Sequence, residues 1–144
     1  MPVTRTSALE PRRKLPICYV SRYQGPRITK ILVLDDDQVI LDLLQTVLGD
    51  AGYEPLVAQG LQHVVPDARP DVVITDLVPL NAYSRESALA WVASLRARFG
   101  GSPLVIVTAH APAVAELDRL GADAIVAKPF DVEALLATLE ELLR

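Results

Sequence analysis

Short apolar runs that end in polar residues alternate with segments of helical spacing along most of this chain. Runs this short and this apolar predict strands that are covered on both faces of a sheet. Five such strands are expected, over residues 31–34, 53–58, 71–76, 104–107 and 124–127. The rest of the chain is organised around the third of them, which ends in the carboxylate of Asp76.

Apolar residues spaced three or four apart predict helices between these strands. The first helix should begin after the N-cap Asp37 and end at Gly52. Its apolar positions are Ile40, Leu43, Leu44, Val47, Leu48 and Ala51. A short helix over residues 60–65 should be broken by Pro66.

Three further helices are expected in the second half of the chain. Ser84 should cap a helix that ends at Gly100, with Trp91 packing beside its buried stripe. That stripe consists of Ala88, Val92, Leu95 and Phe99. A weaker pattern predicts a helix over residues 112–120, and Asp131 should cap the last helix.

Alternation of strands and helices predicts an α/β fold with one parallel sheet and right-handed crossovers. Helices on both faces require the first strand to be central in the sheet. We therefore expect a doubly wound, five-stranded sheet of the flavodoxin-like order 2-1-3-4-5. The crevice should lie at the switch point between strands 1 and 3, and no internal repeat or second domain is apparent.

Composition adds an uneven distribution of charge. The chain has 144 residues, 51% of them hydrophobic, which is enough for one domain with its own core. Residues 1–27 contain six basic residues and one acidic residue, whereas residues 28–144 contain eight basic and seventeen acidic residues. We expect a flexible, basic, proline-containing arm over residues 1–27 and a domain over residues 28–144. An acidic domain is not expected to bind nucleic acid and attracts cations.

Cysteine usage and hydropathy narrow the class of protein. Cys18 is the only cysteine, which excludes an intramolecular disulfide and a cysteine metal cluster. Every apolar run is shorter than the roughly 18 residues of a membrane span, and there is no apolar leader. These features predict a cytoplasmic protein with no membrane partner.

Four of the predicted strands deliver reactive side chains to what should be one edge of the sheet. Asp35 and Asp36 follow the first strand, Asp76 ends the third, and Thr108 and Lys128 follow the fourth and fifth. Each residue alone is typical of a cap, a strand end or a surface lysine. Their joint placement indicates a site, because ligands bind at the carboxyl ends of parallel strands.

The chemistry of this set points to a metal ion and a phosphoryl group. Three neighbouring carboxylates repel one another unless a hard cation such as Mg²⁺ lies among them. A carboxylate nucleophile, an ammonium group and a hydroxyl group are what a transferring phosphoryl group needs beside that ion. The predicted nucleophile is Asp76, which would become an aspartyl phosphate.

Five motifs carry a family resemblance. They read ILVLDDD at 31–37, VVITD at 72–76, VIVTA at 105–109, GAD at 121–123 and AKPF at 127–130. With these motifs, residues 29–144 resemble the receiver domain of bacterial two-component response regulators. Nothing follows the last predicted helix, so a stand-alone receiver is expected, which acts by binding a partner, by dimerising or by relaying phosphate.

The resemblance implies a phosphoryl donor and a set of metal ligands. Asp76 would accept the phosphoryl group from a phosphohistidine on a sensor kinase or phosphotransfer protein. Asp35 and Asp36 would hold Mg²⁺, with Asp36 the more direct ligand. Asp76 and the backbone carbonyl group of Val78 would complete the protein ligands.

The resemblance also implies how the signal is transmitted. Thr108 and Lys128 would contact the phosphoryl oxygens and move the loops that follow strands 4 and 5. The Lys128–Pro129 peptide bond would be cis. Such a protein switches the binding of an unknown downstream protein or of a second copy, and it is not a turnover enzyme.

Several departures from the family pattern leave alternatives open. Ile125 stands where similar receivers carry Tyr or Phe, and Pro79 follows Asp76 by three residues instead of four. The segment from Thr108 to the glycine of the fourth motif is about two residues short. The altered loop and the missing aromatic residue favour a phosphorylation-independent binding module as the alternative function. A hydrolase with an aspartyl intermediate ranks third, because it needs an acid where Val78 stands.

Overall fold

Five parallel strands form the centre of the protein in a computed structural model that describes residues 27–77, 84–116 and 120–144. The strands are β1 Lys30–Leu34, β2 Glu54–Ala58, β3 Val72–Thr75, β4 Leu104–Thr108 and β5 Ala124–Ala127. They pair in the order β2-β1-β3-β4-β5, and every pair is parallel. This confirms the predicted doubly wound α/β sheet. Of the proposed arm over residues 1–27, residues 1–26 lie outside the described ranges.

Helices follow four of the five strands, and three of these helices begin after the capping side chains that were predicted. They are α1 Gln38–Asp50, α2 Arg85–Phe99, α3 Ala111–Val114 and α4 Val132–Leu142. The side chains of Asp37, Ser84 and Asp131 each accept a hydrogen bond from a backbone N–H in the first turn of α1, α2 and α4, respectively. Within the described ranges, no helix has the length and apolarity to cross a membrane.

Alternating strand residues pack into two cores, one on each face of the sheet. In β1, Leu32 and Leu34 belong to the core on the α2 side, whereas Ile31 and Val33 belong to the core under α1 and α4. Central strands therefore need apolar residues at every position, which explains their continuous apolar runs.

The buried face of α1 differs from the predicted stripe. Leu41, Leu44 and Leu48 are buried, whereas Leu43 is 41% exposed. Residue 43 lies about 160° around the helix axis from residue 41, so the two cannot share one narrow face. The predicted stripe was wrong in including Leu43 and omitting Leu41, because the helix is apolar at both positions and the pattern alone does not show which face meets the sheet.

The segment between β2 and β3 contains a single 3-10 turn, Leu61–His63, instead of the short helix predicted over residues 60–65. Pro66 and Pro70 lack N–H groups and push the residues before them towards extended conformations. The guanidinium of Arg98 in α2 supplies hydrogen-bond donors to the carbonyl groups of this segment. It donates to the backbone carbonyl groups of Leu61 (3.2 Å), Val64 (2.8 Å) and Val65 (3.3 Å).

Replacing Arg98 with Ala should lower the free energy of unfolding by about 2 kcal/mol, because carbonyl groups of the β2–β3 connection lose a charged donor. Urea denaturation measures this loss. The matched control is Arg69→Ala, since the Arg69 guanidinium donates to the carbonyl of the neighbouring Ala68 at 3.2 Å. The control should stay within about 0.5 kcal/mol of the wild type. Equal losses in the two variants would contradict the anchoring role of Arg98.

The helix predicted over residues 112–120 is short where it is described. It covers Ala111–Val114 and is followed by a turn, while residues 117–119 lie outside the described ranges. Gly121 has a φ of 79°, which allows the chain to reverse into β5. The loop over residues 78–83, which includes Pro79, also lies outside the described ranges.

Candidate functional site

Asp35 and Asp36 follow β1 at the carboxyl edge of the sheet. Asp35 is 2% exposed, and its backbone N–H donates to the Ala58 carbonyl at 3.2 Å. Its Oδ1 accepts the N–H of Asp37 at 2.9 Å, which fixes the side chain at the start of α1. Asp36 is exposed. The first strand therefore presents one buried and one accessible carboxylate.

Asp76 lies beside this pair because β1 and β3 are neighbours. The register places Leu34 opposite Thr75, and the N–H of Asp76 donates to the Leu34 carbonyl at 2.9 Å. One carboxylate oxygen from each of Asp35, Asp36 and Asp76 lies within 4.8 Å of the others. The switch point between β1 and β3 thus gathers the three predicted carboxylates into one cluster.

Lys128 brings a positive charge to the cluster from β5. Its Nζ lies 3.0 Å from Asp35 Oδ2 and 3.1 Å from Asp76 Oδ2, so one ammonium group bridges two carboxylates. The following peptide bond, Lys128–Pro129, is cis, as the family resemblance implied. The sequence alone predicted this residue at this edge, and the structure directs its side chain into the cluster.

Burial and charge oppose each other at this site. Burial raises the pKa of Asp35 above its usual 3.8, although hydrogen bonds from the Asp37 N–H and from Lys128 act in the opposite direction. Burial alone would lower the pKa of Lys128. The hydrogen bonds and charges of Asp35 and Asp76 outweigh it and raise that pKa above the usual 10.5. Lys128 therefore remains charged at neutral pH.

Thr108 ends β4 on the same edge of the sheet. Its side chain is buried, and its Oγ1 accepts the N–H of His110 at 3.0 Å. Its carbonyl group accepts the N–H of Lys128 at 2.9 Å, which ties the ends of β4 and β5 together. The hydroxyl is therefore on the predicted edge but is engaged with its own loop. Val78, the predicted carbonyl ligand, lies outside the described residues.

The carboxylate cluster fits a magnesium ion. Its donors are carboxylate oxygens, the type of ligand that Mg²⁺ prefers. At Mg–O distances of about 2.0–2.1 Å, oxygens on opposite sides of the ion are about 4.2 Å apart. The three oxygens lie within 4.8 Å of one another, which is close to this separation. Asp35, Asp36 and Asp76 are the residues that would hold the ion.

Sequence reasoning missed one polar pair behind the cluster. Thr75, the residue before Asp76, is fully buried, and its hydroxyl donates to the Asp76 carbonyl at 2.6 Å. Trp91 packs against the core as predicted, but its Nε1 also donates to Thr75 Oγ1 at 3.0 Å. A threonine in an otherwise apolar strand, directly before the carboxylate, was the available signal.

Comparison with known proteins agrees with this geometry. Residues 31–140 match the family described as the response regulator receiver domain. The response regulator MprA of Mycobacterium sp. (strain KMS) is 35% identical over 121 residues, which cover 80% of this chain and 50% of that protein. The chain thus spans about half the length of the curated relatives it matches.

Solved structures are similar over the same region. The chemotaxis response regulator CheY4 of Vibrio cholerae aligns with a TM-score of 0.63 and 27% identity, over 81% of this chain and 99% of that one. A response regulator from Burkholderia pseudomallei, solved with a phosphorylated aspartic acid, a calcium ion and citrate, aligns with a TM-score of 0.63 and 25% identity. That alignment covers 77% of this chain and 66% of the other.

Proposed function

Because this chain belongs to the family of response regulator receiver domains, we propose that it is a signalling module controlled by phosphorylation of Asp76. The observation that carries the proposal is the convergence of three carboxylates and one ammonium group at the β1–β3 switch point. The Burkholderia neighbour supports it, since that structure of a similar fold contains a phosphorylated aspartic acid and a calcium ion.

In the proposed reaction, a carboxylate oxygen of Asp76 attacks the phosphorus atom of a phosphohistidine. The P–N bond breaks, the imidazole nitrogen keeps its electron pair, and the new O–P bond makes an acyl phosphate. Bound Mg²⁺ would neutralise charge on the phosphoryl oxygens. Lys128 already lies 3.1 Å from Asp76, so it can exchange this carboxylate for a phosphoryl oxygen without a large movement. Thr108 would supply a hydroxyl donor, since its Oγ1 accepts the His110 N–H with a lone pair and keeps its own proton to donate.

The proposed unit of function is a domain over residues 28–144 preceded by the basic arm over residues 1–27. Its donor would be a sensor histidine kinase or a histidine phosphotransfer protein, and its output a change in binding to a partner or to a second copy. Ile125 is partly buried and packs against the core on the α2 side. We therefore propose that switching runs through the Thr108 and Lys128 loops without an aromatic side chain.

Incubation with acetyl phosphate and Mg²⁺ should add one phosphoryl group per molecule, as measured by intact mass. The reaction should stop when EDTA removes the ion, because the carboxylate cluster then lacks its cation. Asp76→Asn should not be labelled, since an amide oxygen is a poor nucleophile and forms no stable acyl phosphate. Asp67→Asn, in the exposed β2–β3 connection, is the matched control and should be labelled at the wild-type rate. No incorporation into the wild type would favour a phosphorylation-independent binding module.

A further inference from the structure

Three hydrogen bonds connect helix α2 to the carboxylate of Asp76. The Trp91 indole N–H donates to Thr75 Oγ1 (3.0 Å), and the Thr75 hydroxyl donates to the Asp76 carbonyl (2.6 Å). The N–H of Leu77 then donates to Asp76 Oδ1 (2.7 Å). The second and third bonds share the peptide group between residues 76 and 77, so the connection is continuous.

The peptide group between residues 76 and 77 links the orientation of the Asp76 C=O to that of the Leu77 N–H. A peptide unit is planar, so a donor that fixes the direction of its C=O also fixes the direction of its N–H. Thr75 sets the first direction, and the Leu77 N–H therefore meets Asp76 Oδ1 at a defined angle. Lys128 holds the other oxygen, Oδ2, at 3.1 Å. The two oxygens of the proposed acceptor are thus held separately, one through the backbone and one by an ammonium group.

The environment of Thr75 indicates that its hydroxyl has a purpose beyond packing. Its register partners are the apolar residues Leu34 and Ile106, and its side chain is fully buried. Valine has nearly the same shape and would fill this place without a polar atom to satisfy. The threonine hydroxyl is instead used twice, as acceptor from Trp91 and as donor to Asp76. Hydrogen bonds away from water polarise one another and are stronger there.

We propose that Thr75 and Trp91 are positioning residues, which hold the Asp76 carboxylate in the orientation that receives the phosphoryl group. The proposal rests on the proposed function of Asp76. Neither residue contacts the phosphoryl group; both act through the peptide group after Asp76. The coupling also acts from the site towards the helix. A phosphoryl group on Asp76 therefore changes the environment of the indole in α2.

The test compares phosphorylation rates at saturating acetyl phosphate and Mg²⁺ with the emission of Trp91, the only tryptophan in the chain. Thr75→Val should slow phosphorylation about tenfold, because the carboxylate is no longer held in its reactive orientation. It should also lose the emission change that accompanies phosphorylation. Thr75→Ser, which keeps the hydroxyl, should retain both properties.

Two further variants separate positioning from stability. Thr138→Val in α4 is the matched control, because it removes a hydroxyl whose exposed hydrogen bond, to the Ala134 carbonyl at 3.0 Å, lies within its own helix. It should leave rate and emission unchanged. Trp91→Phe keeps an aromatic ring but removes the first N–H of the connection, and should slow phosphorylation about threefold. If Thr75→Val fails to fold, Trp91→Phe and Thr75→Ser still decide the question.

The outcomes are distinguishable. A Thr75→Val protein that melts earlier but is labelled at the wild-type rate would overturn the positioning role and leave the function of Asp76 intact. So would a Trp91→Phe protein with an unchanged rate. A wild type that takes up no phosphoryl group would overturn the function of Asp76 itself, and the positioning role with it.

Discussion

Lys128→Met should lose about 3 kcal/mol of unfolding free energy at pH 7 in EDTA, and it should no longer be phosphorylated efficiently. The substitution keeps most of the apolar stem but removes the charge that bridges Asp35 and Asp76. Asp35 is 2% exposed, so its carboxylate would be left buried without a counter-charge, which is strongly destabilising. Urea denaturation measures the loss of stability.

The loss should depend on pH in a defined direction. The pKa of Lys128 is raised in the folded state, so its stabilising contribution is complete below pH 10.5 and is lost only as pH rises through the raised value. The pKa of Asp35 is also raised, which means that the folded state binds its proton more readily than the unfolded state. Lys128→Met should therefore regain stability as the pH falls from 7 towards 3.8, while Asp35 takes up a proton.

A double variant and a control make this prediction specific. Asp35→Asn added to Lys128→Met should restore much of the lost stability, because no buried charge remains to be neutralised. Lys30→Met, at the exposed start of β1, should change stability little. If Lys128→Met is as stable as Lys30→Met, or if its stability has no pH dependence beyond that of the wild type, the ammonium bridge does not stabilise the folded state.

Asp36→Asn should raise the stability of the metal-free protein and remove most of the stabilisation by Mg²⁺. Three carboxylates within 4.8 Å repel one another, and removing one charge relieves about 1 kcal/mol of that repulsion. The same change removes a ligand from the proposed metal site, so Mg²⁺ should bind at least about tenfold more weakly. Thermal unfolding measures both effects. The variant should unfold at a higher temperature than the wild type in EDTA, and excess Mg²⁺ should raise that temperature less than in the wild type.

Asp67→Asn is the matched control for this pair of measurements. It also removes one exposed carboxylate, but from the β2–β3 connection. It should change neither the metal-free stability nor the response to Mg²⁺ appreciably. If Asp36→Asn shows the same shift with Mg²⁺ as the wild type, the ion binds elsewhere or not at all.

Much of the fold follows from features that are local in sequence. Strands such as β3 and β4 are buried at every position and apolar up to a terminal threonine, because both faces of the sheet are covered, and this makes them recognisable. Capping by Asp37, Ser84 and Asp131 depends on one or two neighbouring N–H groups, and all three caps were predicted. The site residues at the strand ends were predictable because the order of the strands determines which ends meet.

Features that depend on distant residues were not predictable in this way. The connection after β2 has no α-helix, and its carbonyl groups are held by Arg98, more than 30 residues further along the chain. The choice of Leu41 over Leu43 as a core residue in α1 depends on which face meets the sheet. The connection between Thr75 and Trp91 likewise requires a helix to be placed over a strand.

Chemical trapping of the phosphorylated residue tests the account most directly. The wild type is treated with acetyl phosphate and Mg²⁺, the acyl phosphate is reduced with borohydride to an alcohol, and the peptides are mapped by mass spectrometry. The account predicts that Asp76 is converted to homoserine when Mg²⁺ is present and is unchanged in EDTA. Modification at Asp35, Asp36 or any other residue in place of Asp76, or at no residue, would contradict it.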